Sequence, residues 1–96
     1  MRDLFEALAA PARRLLLDEL RERNGLTLFD LCTRLTMKHG LALTRQAVSQ
    51  HLAVLEEVGL VRTRKVGRCK HHDFDASPLQ AIVERWLAES DKGADP

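Results

Sequence analysis

Residues 44–64 read TRQAVSQHLAVLEEVGLVRTR, and the rest of the chain is organised around them. Val48, Leu52 and Leu55 recur at helical spacing, so a helix beginning near the cap residue Thr44 turns one face inward. Gly59 closes that helix, and Leu60 supplies the apolar residue that often follows such a stop. The period then changes. Val61, Arg62, Thr63, Arg64, Lys65 and Val66 are rich in β-branched residues and alternate loosely, Gly67-Arg68 offers a turn, and Cys69 to Phe74 forms a return strand. The expected unit is a helix followed at once by a two-stranded hairpin with a basic tip.

Upstream, Thr27 with Asp30 three positions on marks another helix start. Leu28, Leu31, Cys32 and Leu35 fall at i, i+3, i+4 and i+7, giving a helix with one buried stripe that ends within residues 36–40. The connection over 36–43 is then long. Further back, Leu4, Phe5, Leu8 and Ala9 share a helical face. Pro11 suits the first turn of a second helix, which carries Leu15, Leu16 and Leu20 inward and stops at Asn24-Gly25. Downstream, Ser77-Pro78-Leu79-Gln80 predicts a capped start, and Leu79, Ile82, Val83, Trp86 and Leu87 form a broad apolar stripe. The expected architecture is mainly α with a small β-hairpin, in the order α-α-α-α-β-β-α. Residues 1–90 form one domain and 91–96 a polar tail expected to fray.

Length and composition agree: 96 residues allow one domain, and 45% hydrophobic with 30% charged residues is ordinary globular usage. No apolar run approaches the roughly 18 residues of a membrane helix. Acids stand among the first residues, where a signal peptide would be basic and then apolar, so a cytoplasmic protein without membrane partners is expected. The formal net charge of +1 hides a gradient: residues 61–74 hold five Lys/Arg and one acid. That cluster is either a polyanion-binding surface or a solvated hairpin. Gly25, Gly40, Gly59 and Gly67 are isolated stops rather than a phosphate loop. With no nucleophile elbow or paired carboxylates either, the chain does not read as an enzyme.

The third and fourth helices have the outline of a helix-turn-helix, whose second helix enters the DNA major groove by its N-terminal residues. Here those residues are Thr44, Arg45, Gln46, Ser49 and Gln50. Arginine can bind guanine bidentately, Gln adenine, and Ser or Thr either bases or phosphate. None is acidic; Glu56 and Glu57 stand at the far end. The following hairpin is placed as a wing that brings Arg62, Arg64, Lys65, Arg68 and Lys70 towards backbone phosphates, although strand alternation must turn some of them away.

The segment FEALAAPARR, residues 5–14, resembles the opening of ArsR-family winged helix-turn-helix repressors. Residues 44–64 closely resemble their recognition helix and first wing strand, and the Gly67-Arg68 turn fits as well. The similarity spans about residues 4–87, with Pro11-Ala12-Arg13-Arg14 pointing to ArsR rather than MarR-type proteins. It implies a transcription regulator, a homodimeric repressor on a pseudo-palindromic operator in double-stranded DNA, with Arg45, Gln46, Ser49 and Gln50 on bases and Thr44 and His51 steadying phosphates. It also implies a dimer interface from the first and last helices, around Leu4, Phe5, Leu8, Ile82, Val83, Trp86 and Leu87. A chain this short, burying only about 60–65% of its unfolded surface, has independent reason to cover such stripes. Intrachain packing of both is the alternative.

Founding members of that family sense metals through a Cys-x-Cys pair on the third helix or through acid and His ligands on the last. This chain has only Cys32 on the third helix, and Glu84 and Glu89 without His on the last, so neither metal set is present and no cofactor is expected. Two other readings stay open. Cys69, His71, His72 and Asp73, with His39 as a helper, could serve a metal- or redox-responsive sensor, Cys69 being flanked by Arg68 and Lys70. The fold could also be a protein-interaction module that does not bind DNA.

Overall fold

The computed structural model describes residues 3–93, with side chains through residue 87. Eight elements follow in order: α1 (Leu4–Ala9), α2 (Pro11–Glu22), β1 (Leu26–Thr27), α3 (Leu28–His39), α4 (Arg45–Glu57), β2 (Val61–Val66), β3 (Cys69–Phe74) and α5 (Ser77–Gly93). Their boundaries have local causes. Asp3 caps α1 by accepting the Glu6 N–H at 2.7 Å. Pro11 then holds Ala10 extended and opens α2. Thr27 and Asp30 close a reciprocal capping box at the start of α3, at 3.2 and 3.0 Å. Leu16, Leu20, Leu31, Leu35, Val48, Leu55, Leu60 and Val61 are fully buried and join α2, α3, α4 and β2 in one core.

Four details depart from the expected layout. The sheet has three strands in the order β1-β3-β2, all antiparallel, because Leu26 and Thr27 pair with His72 and His71. On α2, Leu17 is buried and Leu15 only half-buried. Helix α3 runs through His39 and stops at Gly40, whose φ of 63° lets the Gly40 and Leu41 N–H groups return to Thr36 and Leu35. Half of the expected long connection is therefore helix, and only residues 40–44 separate α3 from α4. At α5 the helix opens after Ala76, and it is Asp75 that accepts both the backbone N–H and the hydroxyl of Ser77, while Gln80 reaches forward to Glu84 instead of back. Helix α5 runs to Gly93, and residues 94–96 of the polar tail lie outside the described residues.

Candidate nucleic-acid interface

Helix α4 divides cleanly into two faces. Val48, Leu52 and Leu55 are buried, while Thr44, Arg45, Gln46, Ser49 and Gln50 are exposed on its first two turns. Thr44 Oγ1 accepts the Ala47 N–H at 3.0 Å and so sets where the helix begins. No acid lies in that first turn. Negative charge at the opening would repel phosphate, whereas a helix N-terminus attracts it. Arg45 also borders a shallow apolar groove on α3 lined by Phe29, Cys32 and Met37. Burial pushes the Cys32 thiol above its usual pKa, and the Arg45 charge opposes it only in part.

The wing sorts its cations by face. Register pairs Lys65 with Lys70 and Thr63 with His72, so these share the face on which Val61 and His72 are buried against the helices. Lys70, with Ser49, Ala53 and Glu56, lines the cleft between β3 and the flank of α4. Arg62 and Arg64 lie on the opposite face. Each has a carboxylate partner, Asp75 at 3.0 Å and Asp73 at 2.9 Å. Lys70 reaches Glu56 at 3.8 Å. Lys65 and Arg68 are exposed at the tip and have no ion pair among the described residues. The five basic residues thus do not form one surface: Lys65 and Lys70 share the α4 side, Arg68 occupies the turn, and Arg62 and Arg64 face away.

The histidines are held by the backbone or by other side chains. His71 Nδ1–H donates to the Gly25 carbonyl at 2.7 Å, and His72 Nδ1–H to that of Leu26 at 2.9 Å, tying the wing to β1. His39 bonds Glu19 at 3.0 Å on another part of the molecule. Cys69 is exposed near the turn. Among the described residues no three His, Cys, Asp or Glu side chains are placed to hold a metal ion. His51 is half-buried on α4, and its Nδ1 lies 3.2 Å from Nη1 of Arg13. Burial and then the Arg13 charge hold its pKa below the ordinary histidine value.

One charged cluster escapes sequence reasoning. Glu19 is buried on α2 and meets three side chains of α3: the cations Lys38 at 2.8 Å and Arg34 at 3.0 Å, and the imidazole of His39 at 3.0 Å. Burial alone would raise its pKa, but hydrogen bonds from Lys38, His39 and Arg34 outweigh that and lower it to about 2. The cluster locks the last turns of α3 onto α2, just before the connection into α4. Glu19 looks like a surface acid in sequence; the only hint is that Arg34 and Lys38 stand four apart on one helix.

The residues named for a dimer face form an apolar patch. Phe5 and Trp86 bring their rings to 5.9 Å, joining α1 to α5. Even so, Phe5, Val83, Trp86 and Leu87 remain between 47% and 59% exposed. Leu4 and Leu8 pack partly against the core, and Ile82 is half-buried. No described helix is long and apolar enough to cross a membrane.

A helix pair that buries its inner faces, presents an exposed, acid-free N-terminal end and is flanked by a sheet-anchored basic hairpin defines a winged helix-turn-helix. Comparison with known proteins agrees. A helix-turn-helix domain family model matches residues 8–64. The chain is 45% identical over 84 residues to the uncharacterized HTH-type transcriptional regulator YuzN of Bacillus subtilis, covering 88% of this chain and 91% of that protein. It is 36% identical over 93 residues to the arsenical resistance operon repressor of Escherichia coli, covering 93% and 74%. An ArsR-like transcriptional regulator from Rhodococcus sp. RHA1 superposes with a TM-score of 0.73 at 32% identity, covering 95% and 82%. The chain belongs to the ArsR family of winged helix-turn-helix transcriptional regulators. It is a DNA-binding regulator and not an enzyme.

Proposed function

We propose that this chain acts in the cytoplasm as a homodimeric repressor, laying two copies of α4 into successive major grooves of a pseudo-palindromic operator. The observation that carries this reading is the exposed, acid-free opening of α4 over a fully buried inner face. Arg45, Gln46, Ser49 and Gln50 read base edges, Thr44 and His51 steady the phosphates, and Lys65, Arg68 and Lys70 add backbone contacts. Arg62 and Arg64, ion-paired on the far face of the wing, act mainly as staples.

The patch of Phe5, Val83, Trp86 and Leu87, with Leu4, Leu8 and Ile82 beneath it, supports a two-fold interface. Selection from random duplexes tests the proposal. The expected product is two inverted half-sites about 34–36 Å apart or a multiple of that spacing. Recovery of no preferred sequence at moderate salt refutes it and favours a protein-interaction role.

A further inference from the structure

Arg13 belongs to the Pro11-Ala12-Arg13-Arg14 element, to which the DNA face assigns no role. Its guanidinium makes three contacts. Nε donates to the Ala7 carbonyl at 2.6 Å, Nη2 to the Glu6 carbonyl at 3.1 Å, and Nη1 to His51 Nδ1 at 3.2 Å. The first two acceptors lie in the last turn of α1, where Pro11 prevents the helix from continuing and the carbonyls lack intrahelical partners. A cation is favoured at that end of a helix. Arg14 serves the next carbonyl, donating to Leu8 at 2.6 Å.

The third contact crosses to α4, one residue beyond Gln50. Arginine stays protonated and offers only donors. His51 Nδ1 must therefore be the bare nitrogen, and the ring proton sits on Nε2. One side chain thus holds the end of α1, whose Phe5 lies in the apolar patch, and sets the tautomer of a residue on the reading helix.

We propose that Arg13 is a positioning residue for DNA recognition: it ties α1 to α4 through His51, fixing the reading helix relative to the dimer face and presenting His51 Nε2–H as a neutral donor to a backbone phosphate. This rests on the reading of α4 and the patch given above. Arg13 itself does not touch DNA.

The test uses the full chain and the duplex recovered by the wild type. Arg13→Gln and Arg13→Lys should each weaken binding about tenfold, the worth of one hydrogen bond to a charged group. The salt dependence should keep its slope, because no phosphate contact is lost. In the free protein, the His51 titration followed by NMR should move up in Arg13→Gln. Unchanged affinity, or a slope lower by about one, overturns the proposal; the second result makes Arg13 a phosphate contact. Ring nitrogen shifts of the wild type give a readout that needs no variant to fold, and they should show Nε2 protonated and Nδ1 bare at neutral pH. The opposite tautomer, in a protein that does select DNA, defeats this proposal alone. A wild type that selects no duplex defeats the DNA reading as well.

Discussion

Replacing Glu19 with Gln should strip the protein of much of its stability at neutral pH and little of it in strong acid. Folding lowers the Glu19 pKa from 4.5 to about 2. At about 1.4 kcal/mol per unit, that shift corresponds to about 3 kcal/mol, fully present above pH 4.5. It is lost progressively as pH falls from 4.5 towards 2, because protonation in the unfolded chain then precedes protonation in the folded one. Removing one member of a buried charge cluster typically costs about 3–5 kcal/mol. Here Arg34, Lys38 and His39 are 22–40% exposed and can turn to water once the carboxylate is gone, so the lower end applies. A loss of about 3 kcal/mol in a domain of this size lowers Tm by roughly 12–24 °C. Thermal and urea unfolding at matched protein concentration, at pH 7 and again between pH 4.5 and 2.5, measure it. A variant within about 0.5 kcal/mol of wild type at pH 7, or a difference that does not shrink in acid, refutes the assignment of a charged, paired Glu19.

Three further outcomes are expected. Arg45→Ala should cost about 1–3 kcal/mol of operator binding and relax base preference at one position of each half-site, read by binding to single-base operator variants. Lys65→Ala should weaken all sequences alike and lower the salt slope by about one, whereas Arg62→Ala should leave the slope unchanged, as titrations at several salt concentrations will show. Gly25→Ala should destabilise the fold by about 1 kcal/mol or more in thermal unfolding, since Gly25 has φ +85° and a Cβ there meets Arg64 Nη2 at 2.9 Å.

Five helices and a hairpin could be located from apolar spacing and punctuation because each is long enough to carry a period and ends at a Gly or begins at a capped turn. β1 could not: two residues have no period, and Leu26 and Thr27 become a strand only because His71 and His72 come to pair with them. The end of α3 was obscure for a related reason. Thr36, Lys38 and His39 look like a loop until Glu19 supplies a partner for the last two. The exposed face of α4 was legible residue by residue, since the buried stripe leaves one set of positions outside. Strand alternation anticipated that the wing cations would divide, but only register and the carboxylates of Asp73 and Asp75 show which ones face away.

If α4 enters the groove as proposed, the pairing of β1 with β3 has a consequence for the shape of DNA the protein can accept. With His71, His72 and Asn24 fastening the hairpin to β1 and the turn before it, which lead into α3, the wing is no loose flap. It travels with the prong that enters the groove, like the two jaws of a caliper locked at one opening. Flanks that are too straight or too wide to meet the second jaw must bend to it. Discrimination at positions that no side chain touches then falls to the stiffness of the duplex itself.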